Sequence, residues 1–430
     1  MNEETTAMND EDDFEDREVV FEHRPPFKPS LTIHSEMEAR WSEPDVFAKT
    51  GMRGLDAMLH GGLRRGECVA LAGSAGHGKS SLAIQLALEA ARSGGVAIYC
   101  TAEMAPDEIL ARATAREMFT RADASGAGWA VGFGEVLRGH HLEGRTITSD
   151  TVQTEVLERY IGAREVLHRE VYPRFIVRPL AGGATIADVA ELVAAVRAHL
   201  DGFAGLVVLV IDPLQRLFAS AVGARTGKAL EAVNANETER VSAVVGELKA
   251  LADSQNLAAV FTSDTTKASA SGVSVGDGLE LRGSYQLAHL ATVILTMRTD
   301  IDAQQLAKRT ETLAGALDED TIRRSAPTWL RTRADAGKLG ARYALLHCAK
   351  NRNGPPASFA MGFIPGAGLF VEGEESAPST SPSKATKPKA TKQKAPTVSV
   401  QLSPIDSKRL TDASIAALAK TEPVEENDTP

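Results

Sequence analysis

Short, continuous apolar runs alternate with longer amphipathic stretches through the middle of the chain. CVALA (68–72), VAIYCT (96–101), FIVR (175–178), LVVLVI (206–211), AAVFTS (258–263), TVILTM (292–297) and the run at 343–349 read as strands. The stretches 79–93, 105–119, 185–200 and 237–254 read as helices. Continuous rather than alternating apolarity suits a strand covered on both faces. Strands interleaved with helices predict an α/β fold, a mostly parallel twisted sheet with helices on both faces. Local signals agree. Gly94-Gly95 stops the first helix, Pro106-Asp107-Glu108 opens the second, and Thr185 with Asp188 forms a capping-box pattern at the third.

The pattern fades at both ends. Residues 1–45 carry the like-charge block EDDFED (11–16) and little to bury. From Glu372 the chain turns rich in Ser, Thr, Pro and Lys, as in SAPSTSPSKATKPKATKQKAP, and low in apolar residues. We therefore expect an acidic disordered segment (1–45), one folded α/β body (46–371) and a low-complexity tail (372–430), with a short helix near 405–420 as a candidate. The tail lysines suit either contact with a nucleic-acid backbone or simple solubility. The stretch 121–150, glycine-rich and mixed in charge, reads as an inserted loop. The net charge of −10 excludes a chain-wide basic coat but not a local basic channel. Cys68, Cys100 and Cys348 all fall in strand-like runs, which points to core packing rather than a disulfide framework or zinc site. The acidic start is not a secretory signal, and no apolar run approaches the ~18 residues of a membrane span. The reading is cytoplasmic.

GSAGHGKS, residues 73–80, fits G-x-x-x-x-G-K-[ST] between a strand and a helix, the context this motif needs. Its glycines let backbone N–H groups face a polyphosphate, and the helix start adds a positive dipole end. The expected ATP cradle is Gly73, Ser74, Ala75, Gly76, His77, Gly78, Lys79, Ser80 and Ser81, although His77 is a variable position with no role of its own. Lys79 would reach the β- and γ-phosphates, and the Ser80 hydroxyl would bind Mg²⁺. Asp212 ends a buried apolar run and is the expected second Mg²⁺ contact. Glu103 is the first carboxylate past the strand 96–101; spacing alone suits a solvated loop glutamate as well as a group that addresses the γ-phosphate. In AKNRNGPP (349–356), Lys350 and Arg352 sit two apart at a strand end, so both project from one side before a turn.

Taken in order, these segments resemble the RecA-type motor domain of DnaB-like replicative helicases. TGMRGLDAMLHGGL (50–63) is similar to the lead into that family's P-loop, and TAEMAPDEILAR (101–112) to its Glu-Met and following helix. IDPLQ (211–215) resembles the Walker B pentad, and ELKALADSQNLAAVFTS (247–263) the next helix and strand. LRGSYQ (281–286) and KNRNGP (350–355) match the last two landmarks. The resemblance covers about 50–371. It implies that Glu103 activates water, that Asp212 is the Mg²⁺-linked acid, and that Gln215 lies near nucleotide and DNA loops. It further implies that Lys350 and Arg352 extend into a neighbouring subunit's ATP site, giving a homo-oligomeric, hexameric ring on single-stranded DNA. Loops at about 217–236 and 265–281 would face the channel and offer Arg225, Lys228 and Lys267, with Ser269, Ser271 and Gly272 as backbone donors.

Two departures stand out. The short acidic N-terminal stretch cannot form the family's helical collar, and the strand that normally ends Ser-Gln here ends Ser263-Asp264. Two other readings stay open: a KaiC- or RadA-like regulatory or recombination ATPase without helicase activity, and a RecA-type strand-exchange filament.

Overall fold

The computed structural model describes residues 46–121, 131–139, 150–200, 202–220, 237–264, 289–299 and 334–373, with a few isolated positions before these. The channel-loop cations Arg225, Lys228 and Lys267, the segment 281–286, and both terminal segments as functional units lie outside the described residues.

Each expected strand forms. They are β3 (Cys68–Gly73), β4 (Val96–Thr101), β5 (Phe175–Pro179), β6 (Val207–Asp212), β7 (Ala258–Asp264), β8 (Val293–Arg298) and β9 (Arg342–Asn351). Two more, β10 (Ser358–Ile364) and β11 (Leu369–Glu372), complete a nine-stranded sheet in the order β11-β10-β9-β8-β3-β7-β6-β4-β5. The block from β8 to β5 is parallel, whereas β9, β10 and β11 add on antiparallel. A small β1 (Phe47–Ala48) and β2 (Leu63–Arg64) pair flanks the short helix α1 (Arg53–Met58).

The sheet separates two cores, and strand alternation assigns residues between them. Val69, Leu71, Ala97, Tyr99, Val208 and Val210 pack with Leu82 and Leu86 of α2 (Lys79–Arg92) and Ile109 of α3 (Pro106–Thr120). Their neighbours Cys68, Ala70, Ile98, Leu209 and Ile211 face the opposite way. They pack against α6 (Ile186–His199) and α7 (Glu237–Ser254) through Val189, Val193, Val244 and Leu248. Burial on both sides is why these strands read as unbroken apolar runs. The predicted capping box is present: Thr185 Oγ1 accepts from the Asp188 N–H, and Asp188 accepts from the Thr185 N–H.

The stretch expected as an inserted loop is not loop throughout. It contains α4 (Phe133–Leu137) and leads into α5 (Asp150–Val166). All three cysteines are free and buried. Burial pushes the Cys68 and Cys100 thiols up to about 12 and Cys348 to about 11, so they pack as small apolar groups. Among the described residues no helix is long and apolar enough to cross a membrane.

Candidate functional site

Four neighbouring strands, β3, β7, β6 and β4, bring their carboxyl ends side by side, and each end carries one of the charged residues or lies next to it. Register keeps the ends level: Gly73 pairs with Asp264, and Thr101 pairs with Asp212. At ~4.8 Å per strand, the site spans three strand spacings, from the Lys79 loop to Glu103.

The loop at 73–80 leaves β3 and enters α2 with Gly76 at φ +81° and Gly78 at φ +86°. His77 is tied down, its Nδ1 lying 3.0 Å from the Met297 carbonyl at the end of β8. Sequence reading gave His77 no role, and only the β8 neighbour reveals its place as an anchor of the loop. Lys79 Nζ donates to Gly73 O (2.9 Å) and Ser74 O (3.1 Å), and pairs with Asp264 Oδ1 at 2.8 Å.

Asp212 is buried at 5% exposure. Its Oδ2 accepts from Tyr99 Oη (2.6 Å) and its Oδ1 from Thr262 Oγ1 (2.5 Å). Burial, reinforced by the Asp212 charge and hydrogen bond, raises the Tyr99 phenol well above its ordinary value, so it stays a donor. The Asp212–Pro213 peptide is cis, and the turn that follows (Leu214–Arg216) presents Gln215, whose Nε2 donates to Ser263 Oγ at 2.9 Å. Gln215 Oε1 is buried without a partner. Glu103, just past β4, accepts from Arg216 Nη2 at 3.2 Å and Nε at 3.3 Å, with both side chains more than half exposed.

The donor set suits Mg²⁺: the Ser80 hydroxyl and the Asp212 carboxylate are hard oxygen ligands. Each Asp212 oxygen retains a lone pair beyond its Tyr99 or Thr262 bond, enough to hold a hydrated ion through its waters. Among the described residues no cluster of three His, Cys, Asp or Glu could cage a metal.

Lys350 and Arg352 are not part of this grouping. Val293, at the start of β8, pairs with Asn351. The two cations therefore sit at the amino ends of the parallel strands, the edge opposite the phosphate loop. They do share one side, as expected. Lys350 Nζ donates to His289 O (3.0 Å) and Ala291 O (2.7 Å), and Arg352 Nη2 also donates to His289 O. Burial, then the neighbouring Arg352 charge, lowers the Lys350 ammonium below its usual range.

A phosphate loop after a central parallel strand, with an acid ending the strand two places along the sheet, fits the RecA-like P-loop ATPase fold. The comparisons with known proteins agree. Residues 48–123 match the family model described as ATPase: KaiC. A 64-residue stretch is 47% identical to Protein RecA of Parvibaculum lavamentivorans, and it spans 15% of this chain and 18% of that relative. A solved ATPase domain superposes with a TM-score of 0.55 at 17% identity, covering 80% of this chain and 96% of that one. A DnaB-like replicative helicase, described with its interactions with primase, gives 0.55 at 18% identity, covering 81% and 68%. At these identities the likeness is one of fold, and the RecA-like fold shared with a DnaB-like helicase is the one expected from the sequence.

Proposed function

We propose that this chain hydrolyses ATP with Mg²⁺ and works as a ring-forming DnaB-like helicase or translocase on single-stranded DNA, in cytoplasmic DNA replication or repair. The observation that carries it is the placement of the Lys79–Ser80 helix start, Asp212 and Glu103 at or just past the carboxyl ends of the central parallel strands, with Lys350 and Arg352 at the opposite edge of the sheet. In this reading residues 73–81 wrap the phosphates, and Lys79 meets the β- and γ-phosphoryl oxygens. Ser80 and Asp212 would hold Mg²⁺, which would supply neutralising charge at those oxygens. Glu103 takes the proton of the attacking water. Gln215, tied to Ser263, relays the state of the site to the segments after β6 and β7. Lys350 and Arg352 enter a neighbour's site, where such cations contribute ~10³-fold or more in rate. Arg225, Lys228 and Lys267 contact DNA phosphates.

The KaiC-family match over 48–123 favours a second reading, a regulatory ATPase that assembles without moving on DNA. ATP turnover with and without single-stranded DNA separates the two. Several-fold stimulation is expected. A ring whose turnover ignores DNA would favour the regulatory reading, and turnover undiminished in Lys79→Ala would overturn the ATP site itself.

A further inference from the structure

The end of β7 places a carboxylate where the phosphate loop's cation must act. Lys79 Nζ donates to Gly73 O at 2.9 Å and Ser74 O at 3.1 Å, and its ammonium forms an ion pair with Asp264 Oδ1 at 2.8 Å. The two carbonyls belong to the loop and turn with it. Asp264 comes from another strand, held level with Gly73 by the β3–β7 register. Its side chain is about half exposed (46%), whereas that of Lys79 is 11% exposed. The carboxylate can therefore swing toward solvent, while the ammonium stays in the loop.

We propose that Asp264 is an internal competitor for the phosphate site: its carboxylate neutralises Lys79, and a nucleotide must displace it to bind. The inference rests on the ATP-site reading above. Two effects act in one direction. Before binding, the ion pair satisfies Lys79, so capture of a phosphate replaces one anion by another rather than filling a bare cation. After binding, the displaced carboxylate stays close to the phosphates and repels them. A triphosphate carries the additional charge and feels this more than a diphosphate. An amide at this position would accept from Lys79 without the charge. Asp264 thus sets a weaker affinity and narrows the preference for ATP over ADP.

The test is equilibrium binding of fluorescent ATP and ADP analogues, with Mg²⁺, to the full chain. The variants are Asp264→Asn, Asp264→Gln and Lys79→Ala, each checked for an unchanged melting profile. Both amide variants should bind the triphosphate about twofold to fivefold tighter, the range a partly screened ion pair allows. The diphosphate should gain less. Unchanged or weaker triphosphate binding in both amide variants, with wild-type binding still dependent on Lys79, overturns the competitor role alone. Loss of the Mg²⁺-dependent part of binding would mark Asp264 as a metal contact and overturn it too. Wild-type binding that is absent, or indifferent to Lys79→Ala, removes the ATP-site reading and this inference with it.

Discussion

Gly78 is held by two independent constraints. Its φ of +86° lies where a side chain meets its own backbone, and a Cβ there would come within 2.8 Å of Phe363 Cζ and 2.9 Å of Phe370 Cζ. Those rings are buried and stacked, with centroids 4.3 Å apart, which limits their room to shift. Gly76 has a similar φ, +81°, but nothing lies within 4 Å of its Cβ position. Alanine at either site carries the left-handed penalty of about 1–2 kcal/mol, and only Gly78→Ala adds the clash. Gly78→Ala should therefore melt lower than Gly76→Ala and lose more nucleotide affinity. Equal melting temperatures would show that the aromatic pair yields. Single residues were legible in the sequence where a motif fixes spacing, as for Lys79 and Ser80, or where an acid ends an apolar run, as for Asp212. The partners were not. Tyr99 and Thr262 on Asp212, Met297 on His77, and Asp264 on Lys79 come from strands distant in sequence that only the sheet brings together.

At the scale of elements, the last strand holds down the first helix. Glu372, ending β11, accepts from the backbone N–H of Gly54 (3.1 and 3.0 Å) and Leu55 (3.2 Å), capping α1 from the far end of the described chain. Met52, at the helix's own N-cap position, offers no side-chain cap. Glu372→Ala should cost about 1–2 kcal/mol, the usual loss for a helix cap with a partly buried acceptor, and lower the melting temperature by a few degrees. Glu372→Gln keeps an acceptor and should recover much of this; equal loss in both would locate the effect outside the cap. The central strands were readable because burial on both faces leaves an unbroken apolar code. β10 and β11 escaped notice. SFAMGFI contains a Ser, a Gly and only one β-branched residue, so its burial comes from the sheet it joins rather than from its own propensity. α5 hid for a related reason. Val156 and Ala163 are buried while Leu157 and Ile161 are about 40% exposed, so its apolar residues trace no single stripe.

For the molecule as a whole, the sheet itself decides whether Lys350 and Arg352 can serve their own phosphate loop. They sit beside the start of β8, and the loop lies past the end of β3. Thr292, next to Val293, accepts the Arg352 N–H and donates its own N–H to Cys68 O, which places the pair at the Cys68 end of β3. The length of β3, at about 3.3 Å per residue, puts roughly 17 Å between that end and Gly73. Both cations are also anchored on the His289 carbonyl. Under the proposed function, the anion that this pair meets is a neighbouring subunit's triphosphate. In the proposed ring, a head-to-tail assembly would join each subunit's loop to the next subunit's cation pair. Lys79→Ala spoils a subunit's own loop and leaves its cation pair intact; Arg352→Ala does the reverse. Each variant alone should be nearly inactive. Mixed in equal amounts and allowed to exchange, they create some interfaces with both parts whole. Random assortment makes about a quarter of the interfaces complete, so ATP turnover should climb toward that share of wild type if sites act independently. Pairing Lys79→Ala with a Lys79→Ala/Arg352→Ala double variant should give no recovery, because no interface then has an intact loop. If mixed oligomers are shown to form and turnover stays at the level of the separate variants, the pair does not act across the interface.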